Sequence, residues 1–328
     1  MAFWAGRRVL VTGAGGFIGS HLAERLAACG ARVRAFVHYN ARGTNGWLDD
    51  SPVRYDLEIF AGDIRDRDLV AAAVKGMDIV FHLAALIGIP YSYHAPLSYV
   101  QTNVEGTLNV LQAAREAGVG RVVHTSTSEV YGTARSVPIA ETHPLCAQSP
   151  YAASKIGADK LAEAFHLSYG LPVVLLRPFN TYGPRQSLRA IVPTIASQLL
   201  ASQKVKVGSL SPRRDLNFVS DTIAGFMQAA SSESAVGETI NIGSGRETSV
   251  GDLVGMMAAI VGCKPVIECE SCRVRPPGSE VERLLADNTK ARSLLAWTPE
   301  VPLEKGLALT VEWFRQRAPQ QDVARYTV

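Results

Sequence analysis

The sequence predicts an α/β fold with a doubly wound parallel sheet and a smaller, partly interleaved C-terminal lobe. Three observations predict it. Strand-like and helix-like segments alternate through residue 180, which calls for parallel strands joined by crossover helices. The strands are continuous apolar runs, as a sheet covered on both faces requires. A glycine cluster, Gly13 to Gly19, lies between the first strand and the first helix.

In chain order, Val9-Leu10-Val11 is a short strand that runs into the glycine cluster, and His21 to Ala28 reads as helix with Leu22 and Leu26 four apart. Val33 to Val37, Leu57 to Ala61 and Ile79 to Leu83 are strand-like. Asn103 to Ala117 is helical, with Val104, Leu108, Leu111 and Ala114 on one face. Arg121 to Ser126 is a strand, Tyr151 to Ser168 a helix and Val173 to Leu176 a strand. Gly183-Pro184 then breaks the rhythm. Ile191 to Ala201 looks helical, and shorter segments with many prolines follow. These changes place a dinucleotide-binding unit at residues 1–180, with 215–245 returning to it. A second lobe falls at 181–214 and 246–328, with a loose tail at Val323 to Val328.

Composition narrows the class. The 328 residues are 47% hydrophobic and 19% charged, which excludes a disordered chain. A net charge of +3 with no basic run argues against nucleic acid. No apolar stretch reaches the roughly 18 residues of a membrane span. The N-terminus enters a strand-like run at once, without the apolar segment of a signal peptide. The five Cys are odd in number and mostly scattered, as in a reduced cytoplasmic protein. Cys269-Glu-Ser-Cys272 is a lone CxxC without a second pair, so it reads as a surface turn and no metal is expected.

The run Thr12-Gly13-Ala14-Gly15-Gly16-Phe17-Ile18-Gly19 follows a strand and opens a helix. Gly13, Gly16 and Gly19 fall three apart. A tight turn, close approach to a pyrophosphate and close helix–strand packing each need a missing side chain. The helix start offers free N–H groups and a positive dipole to phosphates. The pattern therefore predicts a dinucleotide and a Rossmann sheet. The second strand ends His38-Tyr39-Asn40-Ala41-Arg42, with no carboxylate for a ribose 2′-hydroxyl. His38 and Arg42 could face a 2′-phosphate, so NADP is favoured over NAD. Gly62-Asp63-Ile64, after the third strand, places Asp63 and Ile64 at the adenine edge.

Tyr151 and Lys155 lie at i and i+4, on one helical face behind Ser149-Pro150. A phenol with a pKa near 10 is a poor base at neutral pH, but a nearby ammonium and a positive nicotinamide ring favour the phenolate. Thr125-Ser126-Thr127-Ser128-Glu129 follows the fifth strand, at the end of the sheet where ligands bind. His82 reads as a packed end-of-strand residue rather than an acid or base.

Taken together, these motifs resemble the extended short-chain dehydrogenase/reductases that act on nucleotide sugars, in their 4,6-dehydratase branch. The resemblance also covers His82-Leu-Ala-Ala85, Asn103-Val-Glu-Gly-Thr107, Arg177-Pro-Phe-Asn-Thr-Tyr-Gly-Pro184, Arg214-Asp215, Asn241-Ile-Gly-Ser-Gly245 and Ala286-Asp-Asn-Thr-Lys-Ala291. Ile89-Pro-Tyr-Ser-Tyr93 and Gly183-Pro-Arg-Gln-Ser187 are similar to the N-acetylglucosamine nucleotide 4,6-dehydratases of legionaminic acid-type pathways.

The resemblance implies cofactor contacts at Phe17, Ile18, Leu83, Ala84, Ala85, Asn103, Tyr151 and Lys155. It implies that Tyr151 takes the sugar 4-hydroxyl proton, that Thr127 binds the 4-oxygen, and that Glu129 removes the C5 proton. Glu129 or Ser128 then assists loss of the C6 hydroxyl. Asn180, Arg214 and Arg275 are implied to hold the substrate's phosphates, with Arg185 and Arg189 as lesser candidates. The implied substrate is a UDP- or GDP-N-acetylglucosamine-type sugar. The alternatives on the same scaffold are a glucuronate decarboxylase and a 4-epimerase. A homodimer that pairs Asn103–Ala117 and Tyr151–Ser168 into a four-helix bundle is also implied.

Overall fold

A computed structural model of the protein describes residues 2–276 and 278–317. The tail expected at Val323 to Val328 lies outside them. The opening apolar run forms β1 (Arg8–Thr12), and the alternation continues through β2 (Arg32–His38), β3 (Glu58–Gly62), β4 (Ile79–His82), β5 (Arg121–Thr125) and β6 (Val173–Pro178). Asn180–Tyr182, Lys204–Val207 and Arg213–Phe218 are β7, β8 and β9; Thr239–Ile242, Glu247–Ser249, Val266–Cys269 and Arg283–Leu284 are β10 to β13. Seven strands make one parallel sheet in the order β10-β6-β5-β4-β1-β2-β3. The order reverses between β1 and β4. That reversal opens a crevice beyond the carboxyl ends of the strands, where ligands of doubly wound sheets bind.

Because side chains alternate across a strand, β1 serves two cores. Val9 and Val11 pack with Leu22, Leu26, Phe81 and Phe226 on one face. Leu10 packs with Val80, Leu111, Val122 and Phe165 on the other. The first face carries α1 (Phe17–Ala28); the second carries α2 (Arg67–Val74), which is short and alanine-rich and had no clear periodic signal. Asp66 defines the start of α2 by accepting from the N–H groups of Asp68 and Leu69. Ile89–His94 and Pro96–Tyr99 form two short helices, α3 and α4.

Two expected helices differ in extent. α1 begins at Phe17, not His21, because Gly19 lets the first turn sit against the loop that precedes it. The helix expected over Asn103 to Ala117 is divided: Val100–Glu105 winds as a π-helix before α5 (Gly106–Glu116). The buried Asn103 sits in that widened turn, where its amide reaches two other segments. α6 (Pro150–Tyr169) has clear end signals: Ser149 accepts from the Ala152 N–H, Pro150 takes the first turn, and Gly170 closes it at φ 66°.

Beyond β6 the chain forms α7 (Ile191–Ala201), α8 (Val219–Ser231), α9 (Val250–Val261), α10 (Thr289–Leu295) and α11 (Leu303–Gln316). β9 pairs with β7, β11 and β13 in a small sheet, and β8 pairs with β12. Residues 215–218 therefore sit with this small sheet, and the return to the large sheet begins at Val219. The seam between the sheets is fastened by buried Asp215. Its carboxylate accepts from the backbone N–H groups of Ser244, Gly245 and Ala286 and from the Ser244 hydroxyl. Among the described residues no helix is long and apolar enough to cross a membrane, and no group of three or more His, Cys, Asp or Glu is placed to hold a metal ion.

Candidate active site

The glycine turn lies at the crevice. Gly13 has φ +72°, and a Cβ there would stand 2.9 Å from the Ala84 nitrogen. A Cβ on Gly19 would run into the Gly13 carbonyl, so α1 approaches the turn only without a side chain there. Gly16 caps α1 with no side-chain hydrogen bond, which leaves the N–H groups of Phe17 and Ile18 for an outside acceptor. This cradle fits a dinucleotide pyrophosphate.

His38 ends β2 and is exposed, as is Arg42, which lies in a turn organised by the Asn40 side chain. Asp63 binds Arg65 at 2.5 Å, and that guanidinium holds its carboxyl below the usual range. Ile64 is buried with its side chain against Gly106, so it offers a ligand its main chain alone. The loop after β2 was not anticipated as part of the site: the Trp47 N–H donates to the Gly15 carbonyl at 3.0 Å, laying this loop over the glycine turn. Its only sequence signal was the turn residues Asn40, Gly43, Asn45 and Gly46.

Leu83, Ala84 and Ala85 are half-buried at the end of β4. The N–H groups of Leu83 and Ala84 both donate to the Thr12 hydroxyl at 3.1 Å, so that hydroxyl donates in turn to His82 Nδ1 at 2.9 Å. His82 Nε2 then donates to Thr107 at 3.0 Å. Burial pushes the imidazole pKa well down, so His82 is a neutral link in a packed chain. Asn103 has its amide committed to Leu86 N–H, Leu86 C=O and the Ser154 hydroxyl, so it fixes the strand-end loop against α6.

Tyr151 and Lys155 are both buried on the first turns of α6, at 7% and 4% exposure. Lys155 Nζ donates to the Thr125 carbonyl at 2.7 Å, which fixes the end of β5 against the helix. Burial lowers its pKa to about 8, with Asp159 opposing the fall, so the amine remains an ammonium at neutral pH. Burial raises the Tyr151 phenol; a hydrogen bond from Thr127 acts against that, and the charge of Glu129 adds to it. Thr127 opens the short helix Ser128–Tyr131 and accepts from the Glu129 N–H at 3.2 Å. Ser128 and Glu129 are buried in that turn, at 2% and 9% exposure. A hydroxyl, a carboxylate, a phenol and an ammonium thus converge at the carboxyl edge of β5. Such a group can remove a proton from a hydroxyl and another from a neighbouring carbon.

Asn180 starts β7, and its buried Nδ2 has no hydrogen-bond partner, an open donor beside the crevice. Arg214 and Arg275 converge on one carboxylate, Glu280, at 3.0 and 3.5 Å. Glu280 escaped the sequence reading because a single carboxylate in a proline-rich loop carries no spacing signal. Its loop is tied to the start of α6 by Gln148 Nε2 donating to the Gly278 and Glu280 carbonyls. Arg185 turns away toward α1, where it binds Glu24 at 2.9 Å and Ser20 at 3.2 Å. Arg189 is exposed.

A parallel nucleotide-binding sheet whose fifth strand faces a Tyr-x-x-x-Lys helix is the arrangement of the extended short-chain dehydrogenase/reductases. Within them, the chain belongs to the GDP-mannose 4,6-dehydratase family, which it matches over residues 10–310. It is 36% identical over 318 residues to a UDP-glucose 4-epimerase of Mycolicibacterium smegmatis, covering 95% of this chain and 99% of that one. It is 34% identical over 316 residues to a dTDP-glucose 4,6-dehydratase of Streptomyces antibioticus, covering 94% and 92%. The solved structure of DesIV, a dTDP-glucose 4,6-dehydratase from Streptomyces venezuelae with NAD bound, superposes with a TM-score of 0.82 at 34% identity, over 94% of this chain and 97% of that one.

Proposed function

We propose that the protein is an NDP-hexose 4,6-dehydratase that converts a UDP- or GDP-N-acetylglucosamine-type sugar to its 4-keto-6-deoxy derivative. The observation that carries this reading is the buried Thr127-Ser128-Glu129 turn, whose carboxylate is close enough for its charge to act on the Tyr151 phenol. A bound nicotinamide dinucleotide supplies the hydride acceptor for C4 and the donor for C6. Tyr151 takes the 4-hydroxyl proton, which requires the positive nicotinamide ring of a bound dinucleotide and the Thr127 hydrogen bond to offset the burial and the Glu129 charge that raise its phenol, and Thr127 donates to the 4-oxygen. The resulting ketone acidifies C5–H. Glu129 removes that proton as the C6–O bond breaks, Glu129 or Ser128 protonates the departing hydroxyl to water, and a solvent-derived proton delivered through Glu129 returns to C5 when the hydride is delivered to C6. Asn180, Arg214 and Arg275 bind the diphosphate, with residues 181–214 and 246–328 as the substrate lobe.

Exposed His38 and Arg42 support NADP, and the NAD held by DesIV supports NAD; the ratio of the two dissociation constants separates them. Pairing of α5 and α6 between two copies would give a homodimer, checked by sedimentation at micromolar concentration. The second reading is 4-epimerisation, favoured by the similarity to the M. smegmatis epimerase. The protein is incubated with UDP-N-acetylglucosamine, GDP-N-acetylglucosamine and UDP-glucuronate in turn, and the products are weighed by mass spectrometry. A product lighter by one water from an N-acetylglucosamine nucleotide is expected. Loss of CO2 from the glucuronate, or products of unchanged mass, would overturn the dehydratase reading.

A further inference from the structure

Directly beneath the catalytic pair lies a charged cluster that the proposed chemistry does not use. Asp159 follows Lys155 by four residues on α6, so Tyr151, Lys155 and Asp159 share one helical face. Its side chain is fully buried. Oδ2 accepts from the Ser126 hydroxyl at 2.7 Å and from Arg177 Nη2 at 3.1 Å. Oδ1 lies 3.3 Å from His124 Nε2. Arg177, on β6, also donates to the Tyr131 hydroxyl at 3.0 Å, and Tyr131 donates to Asn241 at 2.8 Å. A buried carboxylate costs free energy unless it is paired and hydrogen-bonded, and here Oδ2 is paired with Arg177 and hydrogen-bonded by Ser126 while Oδ1 faces the His124 ring without a hydrogen bond.

We propose that Asp159 is a positioning residue: it anchors the Thr125–Thr127 turn to α6 and keeps the Lys155 side chain in its ammonium form. The anchoring is double. Lys155 holds the Thr125 carbonyl and Asp159 holds the Ser126 hydroxyl, so Thr127 leaves β5 from a fixed point. The charge balance concerns every ionisable group packed around the cluster. On α6 these are Tyr151, Lys155 and Asp159; on β5, His124; on β6, Arg177; on β4, His82; in the turn after β5, Glu129 and Tyr131. Burial drives both histidines toward the neutral form, and neutral imidazoles leave the cation count to Arg177 and Lys155. Asp159 is the fully buried anion that pairs with Arg177 and whose charge also acts on Lys155, four residues before it on α6. Without it, two buried cations would share one apolar site, and the lysine would be the one to lose its proton, because a guanidinium does not.

The role of Asp159 in catalysis rests on the Tyr151–Lys155 reading above, but its effect on Lys155 can be measured without turnover. Protein carrying ¹³C,¹⁵N-labelled lysine is titrated by NMR, with the Lys155 signal identified by its absence in Lys155→Met. In Asp159→Asn the Lys155 midpoint is expected to fall by about one to two pH units, the effect of losing an opposite charge at close range. In Arg177→Gln it is expected to rise, since a competing cation is gone. Ser126→Ala removes only the hydrogen bond and is expected to leave the midpoint in place. A midpoint unmoved in Asp159→Asn, or displaced the same way in Asp159→Asn and Arg177→Gln, would overturn the proposal. If Asp159→Asn fails to fold, the rise in Arg177→Gln and its absence in Ser126→Ala still decide. The alkaline limb of C4 oxidation, followed as reduced nicotinamide, should move with the midpoint and return in Asp159→Glu. A wild-type protein that eliminates water from no nucleotide sugar would defeat the proposed function and leave the NMR result standing.

Discussion

Replacing Lys155 by methionine is expected to stabilise the protein at neutral pH while abolishing oxidation at C4. The native amine has a pKa of about 8 against an ordinary value of 10.5, because burial penalises its charge. That difference corresponds to about 3 kcal/mol between the protonated and neutral native forms. Below pH 8 both native and unfolded lysines carry the proton, and the native state bears the full cost. Between pH 8 and 10.5 the unfolded lysine keeps its proton and the native one has lost it, so stability rises with pH in that window. Methionine removes the cost at every pH, but it also removes the 2.7 Å bond to the Thr125 carbonyl, a loss of about 1 kcal/mol. The variant should therefore be more stable by about 2 kcal/mol at pH 7 and should lose that advantage by pH 10. Denaturant unfolding of both proteins at the two pH values measures this. A difference that stays constant with pH, or a variant less stable at pH 7 than at pH 10 relative to wild type, would refute burial as the governing effect.

Other substitutions probe the remaining parts. Glu129→Gln should keep cofactor reduction at C4 and slow C5 proton exchange by about 10²- to 10⁴-fold, the usual contribution of a general base; unimpaired deuterium uptake at C5 would remove Glu129 from that role. Gly19→Ala should weaken dinucleotide binding at least about tenfold, because its Cβ runs into the Gly13 carbonyl and must displace the phosphate turn; isothermal titration measures it. Asp215→Ala should cost at least about 3 kcal/mol by leaving three backbone N–H groups unpaired in the seam between the two sheets; a melting temperature within a degree of wild type would contradict that account.

Features legible in the sequence were local ones. The glycine turn and the Tyr151–Lys155 pair are set by spacing within one element, and spacing is what a sequence displays. The parallel, doubly wound character of the large sheet followed from alternation and from the crossovers it requires. The rest needed distant segments to meet. Asp159 finds Arg177 and His124 only when α6 lies across β5 and β6. Glu280 joins Arg214 and Arg275 only when β13 pairs with β9. The Gly46–Leu48 turn reaches Gly15 through a single backbone bond that leaves no mark on residue type. The π-helical turn at Val100–Glu105 is likewise set by the partners Asn103 finds on Leu86 and Ser154 rather than by helix propensity. Arg214-Asp215 shows the converse: one motif holds a candidate ligand-binding arginine beside a carboxylate that fastens the fold.

The central claim is that one crevice oxidises C4, expels water across C5–C6 and returns the same hydride to C6. The most direct test uses a nucleotide N-acetylglucosamine deuterated at C4, with the product read by NMR. The account predicts a 4-keto-6-deoxy product with the deuterium at C6. Deuterium back on an inverted C4, with the C6 hydroxyl intact, would contradict it and make the protein an epimerase.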